Sequence, residues 1–184
     1  ENFGKTCFSF RLLTEYFIFL DTEENGGSIT GDQLSFLKSG LETASSEGLK
    51  NFLLFSHRPI WAEDDSLLKG IFTDNTRSVM GTNFKKEIEP LMRNYCTKFH
   101  IWWFSGSLGS FPASFFYHND QNGITYIQSA IRDMPRDAVV TVLVDDGKIR
   151  FETVSLNNNP VEPVEYYNLQ FWKNNHNTSQ PSNF

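Results

Sequence analysis

The sequence predicts an α/β fold of α+β character, in which strands and helices alternate at first and an antiparallel β meander follows. Three apolar runs, "YFIFL", "NFLLFS" and "FHIWWFS", have the length and aromatic content of buried strands and are separated by helical sequence. Beyond them, strand-like segments follow one another through short turns such as Asp146-Gly147, with no helical pattern between them. We therefore expect a sheet with at least one helix-covered face over residues 1–156, and an extended C-terminal arm over residues 157–184.

The first element is a predicted β-hairpin. Two β-rich runs, Phe8 to Leu13 and Tyr16 to Leu20, are joined by the dipeptide Thr14-Glu15. The second run is apolar on both faces, which is typical of a central strand covered on both sides.

A helix is predicted next. Thr30 and Gln33 have the spacing of a capping box, in which the hydroxyl and the amide bind free backbone N–H groups, and Gly48 marks the end of the helix. Four apolar residues fall on one helical face: Leu34, Leu37, Leu41 and Ala44.

The segment after the second strand is predicted to be irregular. From Ile60 to Thr82 the residues are mixed and punctuated by Gly and Asp, which indicates a long surface loop. Helical sequence resumes from about Asn83 to Cys96, and Pro90 is expected either to kink this helix or to start its second half.

Charge and cysteine content exclude several classes of function. The chain of 184 residues carries 16 basic and 22 acidic residues, a net charge of −6, which argues against nucleic acid or an anionic membrane as the main partner. No apolar run approaches the roughly 18 residues of a membrane span. Cys7 and Cys96 are far apart and no C-x-x-C is present, so we expect free thiols rather than a zinc site.

The candidate functional residues follow the three buried runs. In sheets of this kind, chemistry collects at the carboxyl ends of the strands. Here those ends are Asp21-Thr22, Ser56-His57-Arg58 and Ser105-Gly106-Ser107.

These strand ends carry a resemblance to a known family. The stretches "YFIFLDTEENGGSITGDQLSFLKSGL", "LLFSHRPIW", "EPLMRNYCTKFHIWWFSGSLGSF" and "GITYIQSAI" resemble, in order and spacing, the C-terminal half of the calcineurin-like metallophosphoesterases. The resemblance implies part of a four-layer α-β-β-α sandwich. It also implies two divalent ions (Mn, Fe or Zn) that polarise a phosphoryl group and supply a metal-bound hydroxide.

The metal-ligand motifs of the family are incomplete in this sequence. By position, His57 matches the family's lone ligand histidine, whereas Gly106-Ser107-Leu108-Gly109 falls on its G-H-x-H pair, so Ser107 and Gly109 replace both imidazoles. A serine hydroxyl is a poor ligand for these metals and glycine offers none. The D-x-H, G-D and G-N-H-[DE] motifs have no counterpart, so we expect the chain to be the downstream part of a larger protein, without the two metals.

Each of these positions has a structural interpretation as well as a functional one. His57 is either a metal ligand or a hydrogen-bonded structural residue. Arg58 either binds a phosphate or pairs with Glu63 or Asp64 on the surface.

Two further positions carry the same kind of alternative. Asp21 either orients a ligand or stabilises a turn. Ser107 forms either an anion-binding nest with its glycine neighbours or a tight turn.

Two hypotheses for function follow. The first is a phosphatase or phosphodiesterase of which this chain is the C-terminal portion, inactive alone. The second is a phosphoesterase-like domain that has lost catalysis and serves in binding or assembly. A phosphate ester is the expected ligand. A homo-oligomer is expected as well, because apolar strands left uncovered by a missing upstream half invite pairing.

Overall fold

The computed structural model describes residues 6–63, 68, 81–108, 112–131 and 133–175. In these residues the fold is mixed α/β, with one six-stranded sheet in the order β1-β2-β3-β4-β6-β5 and a separate two-stranded sheet, β7-β8. The strands are β1 Phe8–Leu12, β2 Glu15–Phe19, β3 Asn51–Ser56, β4 His100–Ser105, β5 Phe115–Asn119, β6 Ile124–Ser129, β7 Ala138–Asp145 and β8 Lys148–Ser155. The α-helices are α1 Gly31–Ser46, α2 Glu89–Arg93 and α3 Leu169–Asn175.

The large sheet is parallel in its middle and antiparallel at both edges. β1 pairs antiparallel with β2, which confirms the predicted first hairpin. β2, β3, β4 and β6 are parallel neighbours, and β5 returns antiparallel beside β6. The three apolar runs are therefore interior strands of one sheet, and their carboxyl ends lie at the same edge.

The helix α1 covers one face of this sheet, as its apolar spacing predicts. Leu37, Leu41 and Ala44 are fully buried, and the left-handed Gly48 (φ 64°) lies just beyond its end. The predicted capping box is wrong, because Thr30 makes no side-chain cap hydrogen bond. The amide of Gln33 is bonded instead to the backbone of Asp21, so it holds the loop after β2 against the helix.

The second helical segment is shorter and less regular than predicted. A π-helical turn, Phe84–Ile88, leads into α2, and Pro90 lies in the first turn of α2. A proline is tolerated there because that position needs no backbone donor. Pro90 therefore starts the second half of the segment, which is one of the two predicted alternatives. Most of the predicted surface loop, residues 64–67 and 69–80, lies outside the described residues.

The predicted single β meander is wrong, because the last four strands form two separate hairpins. β5 and β6 join the large sheet, where β6 is parallel to β4, whereas β7 and β8 pair only with each other among the described strands. The β7–β8 hairpin lies on the face opposite α1, where Val142, Ile149 and Phe151 pack on the large sheet. The residues of a turn encode each hairpin locally, but the strand that a hairpin then pairs with depends on residues far away in the sequence.

The segment predicted to be an extended C-terminal arm is partly folded. It contains a 3₁₀ turn, Val164–Tyr167, and the short helix α3. Trp172 of α3 is fully buried, and its Nε1 donates to the carbonyl of Phe115 at 3.0 Å. This contact covers the β5 edge of the sheet; residues 176–184 lie outside the described part of the chain.

Two apolar clusters sandwich the large sheet. The helix-side cluster contains Ile18, Phe52, Trp103 and the buried faces of α1 and α2. On the hairpin side, an aromatic ladder crosses four strands, with ring centroids 4.3, 4.6 and 4.8 Å apart. Its rungs are Phe8 of β1, Phe19 of β2, Phe55 of β3 and Phe104 of β4. The ladder ends edge-on against Phe151 of the hairpin.

One buried amide ties the hairpin to the amino-terminal end of the sheet. Asn51 Nδ2 donates to the carbonyl of Gly147 at 2.8 Å and to the carboxylate of the fully buried Glu15 at 3.4 Å. Asn51 Oδ1 accepts from the indole N–H of Trp102 at 2.9 Å. The Asn51 side chain therefore connects β2, β4 and the turn between β7 and β8.

Two observations bear on the predictions from composition. Cys7 and Cys96 are both free and partly buried. Within the described ranges, no helix combines the length and the apolarity needed to cross a membrane.

We predict that Asn51→Ala lowers the free energy of unfolding by about 2–3 kcal/mol, because the Trp102 indole and the Gly147 carbonyl lose their hydrogen bonds to the amide, and the buried Glu15 keeps only those from Thr14. Urea unfolding followed by tryptophan fluorescence measures the change. Asn122→Ala is the matched control, since that side chain lies in an exposed turn. Equal effects of the two substitutions would contradict the role given to Asn51.

Candidate functional site

The three strand ends singled out in the sequence meet at one edge of the sheet. Ser56 of β3 is the register partner of Ser105 of β4. The backbone N–H of Gly106 donates to the carbonyl of Ser56 at 3.3 Å, and that of Arg58 donates to the Thr22 hydroxyl at 2.8 Å. We call this place, formed by Thr22, Glu23, His57, Arg58, Gly106 and Ser107, the strand-end corner.

His57 lies on the surface of the corner. Its side chain is 60% exposed, and its Nε2 lies 3.9 Å from a carboxylate oxygen of Glu23. The ring sits close to Gly106, where an added Cβ would lie 3.1 Å from the imidazole Nδ1. The absence of a side chain at residue 106 therefore gives the imidazole its place.

Arg58 forms a two-pronged ion pair with Glu23. Its Nε donates to Oε1 at 3.0 Å and its Nη2 to Oε2 at 2.7 Å. This hydrogen bonding raises the pKa of Arg58 and holds the pKa of Glu23 below its usual range. Glu23 therefore remains charged at neutral pH and occupies the guanidinium fork, which has the geometry that recognises carboxylate and phosphate.

Two carboxylates were expected as alternative partners of Arg58: one binds Thr82 instead, and the other lies outside the described residues. Glu63 is nearly buried and accepts hydrogen bonds from the backbone N–H and the hydroxyl of Thr82. Asp64 lies outside the described residues. Arg58 does pair with a carboxylate, as its structural interpretation predicts, but the carboxylate comes from the loop after β2.

The loop that carries Glu23 is held in place by its neighbours. Asp21 Oδ1 accepts from the backbone N–H of Glu23 at 2.9 Å, which is the turn role predicted for Asp21. The Gln33 amide binds the backbone N–H and C=O of Asp21 at 2.9 and 3.0 Å. The sequence contained a signal for Glu23, an acidic pair directly after one strand and an arginine directly after the next.

Ser107, two residues beyond the end of β4, has a left-handed backbone conformation with φ 58°. The two roles predicted for it, an anion-binding nest and a tight turn, both stay predictions. Gly109, the other position where the resemblance expects an imidazole, lies outside the described residues.

A row of polar residues under the corner was not predicted. Ser56, Ser105 and Gln128 are register partners across β3, β4 and β6. Two buried indoles bind this polar row: Trp103 Nε1 donates to Ser56 Oγ at 2.8 Å and Trp61 Nε1 to Ser105 Oγ at 2.9 Å. Serine and glutamine at strand ends indicate only that a strand stops, so the pattern does not reveal the row.

The donors at the corner do not fit a two-metal centre. Among the described residues, no group of three or more His, Cys, Asp or Glu side chains could hold a metal ion. The Glu23 carboxylate beside His57 is engaged by the cationic Arg58, which would repel a divalent ion.

The other two histidines of the described residues have structural contacts. His100 Nε2 is 2.8 Å from the Thr125 hydroxyl, and burial lowers the pKa of this imidazole. His118 stacks on Tyr126 with ring centroids 6.2 Å apart. Neither histidine belongs to the strand-end corner.

Comparisons with protein-family models, curated proteins and solved structures found no match for this chain.

We predict that Glu23→Gln destabilises the protein at neutral pH by less than about 1 kcal/mol, because the Glu23 side chain of the ion pair is 54% exposed. The pKa of Glu23 is lowered in the folded state, so its contribution is present above the unfolded value of about 4.3 and is lost as the pH falls through the folded value. Urea midpoints at fixed ionic strength should therefore differ at neutral pH and converge as the pH falls below the folded-state pKa of Glu23. The control is Glu24→Gln, and a constant difference across pH would contradict the prediction.

Proposed function

We propose that this chain is the C-terminal portion of a metallophosphoesterase-like α-β-β-α sandwich and that, by itself, it is a non-catalytic binding and assembly module. The observation that carries this proposal is the Glu23 carboxylate, which engages Arg58 through two hydrogen bonds and lies 3.9 Å from His57. The two side chains with most capacity for phosphate chemistry at the corner are thereby turned toward an internal anion.

The sandwich part of the proposal is supported by the order of layers. Helices α1 and α2 cover one face of the large sheet and the β7–β8 hairpin covers part of the other. This gives a helix layer, a sheet and part of a second sheet, in that order. The resemblance noted from the sequence implies the same succession.

The ligand class proposed for the corner is a phosphate ester. A phosphate oxygen pair fits the guanidinium fork of Arg58 as a carboxylate does, and the exposed His57 stands beside it. Glu23 must be displaced from the fork for this to occur, so binding by this chain alone is expected to be weak.

The assembly part of the proposal rests on the β1 edge of the sheet. Phe8, Phe10 and Leu12 are 50%, 45% and 51% exposed and lie on the face that carries the aromatic ladder. The opposite edge is covered by Trp172 and by the bridge between Tyr117 and Asn168, whereas no described strand pairs with the outer side of β1.

The occupant proposed for this edge is a second copy of the chain. The β1 sequence, Phe-Ser-Phe-Arg-Leu, alternates apolar and polar residues symmetrically about Phe10. Antiparallel pairing of two β1 strands about a two-fold axis would place Phe8 opposite Leu12 and continue the apolar face from one copy into the next.

A second candidate function is a metal-dependent phosphoric ester hydrolase, formed when the family's upstream motifs are present in the same protein. It is favoured by the position of His57, exposed at the carboxyl end of a parallel strand. In that case the chain would supply one of several ligands.

The proposal of an inactive module predicts no turnover of a chromogenic phosphodiester by the purified chain, with or without added manganese. Elemental analysis of the same sample should find no stoichiometric Mn, Fe or Zn. His57→Ala is the test variant and His118→Ala the control. Manganese-dependent turnover that disappears in His57→Ala but persists in His118→Ala would overturn the proposal in favour of the hydrolase.

The proposed assembly predicts a homodimer that Phe10→Glu converts to a monomer, because a charge at the centre of the paired edge must be buried without a partner. Light scattering coupled to gel filtration measures the mass across a concentration series. Ile131→Glu is the control, since Ile131 is 57% exposed and lies outside β1. A wild-type monomer at high concentration would contradict the prediction.

A further inference from the structure

Gln128 is a fully buried side chain with one satisfied polar atom and one unsatisfied. It lies near the carboxyl end of β6 and is 0% exposed. Its Nε2 donates to the carbonyl of Gly106 at 2.9 Å. Its Oε1 is buried and receives no hydrogen bond from any residue that the structure describes. A buried amide oxygen without a donor is costly, because it loses its hydrogen bonds to solvent on folding.

The neighbour of Gln128 in the polar row holds a complementary group. Ser105 is its register partner on β4, and register partners of parallel strands project to the same face of a sheet. Ser105 Oγ accepts from the indole N–H of Trp61 at 2.9 Å. That contact uses a lone pair and leaves the hydroxyl hydrogen free to be donated elsewhere.

Aromatic rings help to shield this part of the helix side of the sheet from solvent. The ring of Trp61 packs on Tyr126 and Phe116, with centroids 4.8 and 5.6 Å away, and Trp61 is 3% exposed. Ser105 and Gln128 are also nearly or fully buried. Bulk solvent therefore does not supply the missing donor.

We propose that the Ser105 hydroxyl and Gln128 Oε1 together bind one internal water molecule. The water accepts a hydrogen bond from the Ser105 hydroxyl and donates one to Gln128 Oε1. The hydroxyl thereby gains an acceptor and the amide oxygen gains a donor. A continuous chain of hydrogen bonds then runs from Trp61 through Ser105, the water and Gln128 to the carbonyl of Gly106.

This chain has a consequence for the strand-end corner. Gly106 lies beside His57 and precedes the left-handed Ser107. The Gln128 amide fixes the direction of the Gly106 carbonyl, and the water fixes the amide in the orientation that allows this. The internal water is therefore part of what positions the loop after β4.

The alternative hydrogen-bonding schemes are less complete. Turning the Gln128 amide by 180° would exchange Nε2 and Oε1. Two acceptors, Gln128 Oε1 and the Gly106 carbonyl, would then face each other. Another buried atom that makes no hydrogen bond, Asp120 Oδ2, differs from Gln128 because it forms an ion pair with Arg93 at 2.5 Å. Gln128 Oε1 has no such compensation from a charged group in the described structure.

The first test is a crystal structure of the wild-type chain at a resolution that shows ordered water. We expect a density peak within hydrogen-bonding distance of both Ser105 Oγ and Gln128 Oε1. A direct bond between these two atoms, or a Gln128 amide satisfied by protein alone, would overturn the proposal. This measurement needs no variant and does not depend on whether substitutions fold.

The second test is a double-mutant cycle with Ser105→Ala, Gln128→Met and the double variant, measured by urea unfolding. Removal of either wall of the water site abolishes the bridge, so the unfolding equilibrium constants should show a coupling of about fivefold or more. The loss of the acceptor for Trp61 occurs in both arms that contain Ser105→Ala and cancels. Effects that multiply without coupling, within about twofold, would count against the water.

The matched control is the cycle of Ser56→Ala with Gln128→Met. Ser56 also accepts from a buried indole, that of Trp103, but its own hydroxyl donates to the carbonyl of Arg58 at 3.1 Å. It lies one strand further from Gln128 and has no hydrogen left to donate. Its effect should be independent of Gln128, and coupling equal to that of Ser105 would contradict a local water.

Discussion

The register between β3 and β4 is the constraint on which the rest of the molecule depends. Asn51 pairs with His100 at one end and Ser56 with Ser105 at the other. Because side chains alternate across a strand, this register places one set of residues against the helices and the other against the hairpin. A slip of one residue would exchange the two faces and separate both ends, where the Asn51 amide and the strand-end corner are assembled.

The two ends of these strands have different physical roles. At the amino-terminal end, Glu15, Trp102 and Gly147 all form hydrogen bonds with Asn51, and Glu15 is fully buried, so a substitution there affects the whole fold. At the carboxyl-terminal end, the Glu23 and Arg58 side chains of the ion pair are 54% and 21% exposed, so the pair contributes less to stability. The corner is therefore the part of the strands that can change its chemistry at small cost to folding.

The sequence predicts what is locally encoded and misses what depends on distant partners. The apolar runs predict the interior strands, and the positions just after them predict the corner. The role of Gln33 is missed because its amide binds the backbone of Asp21, twelve residues earlier, rather than its own helix end. Similarly, Glu63 is only five residues from Arg58 in sequence, but Glu23 is its neighbour in space, through the parallel pairing of β2 and β3.

The strand-end corner is also distinct from the apolar face of the sheet that carries the aromatic ladder. The aromatic ladder grows less buried from Phe104, which Phe151 of the hairpin contacts, toward Phe8 on the outer strand. Stacked rings connect the four strands, so a partner bound at β1 would extend a surface that folding has already ordered. The proposed assembly would need no change at His57 or Arg58, because neither residue belongs to β1. The proposed assembly and the proposed phosphate binding therefore depend on different residues.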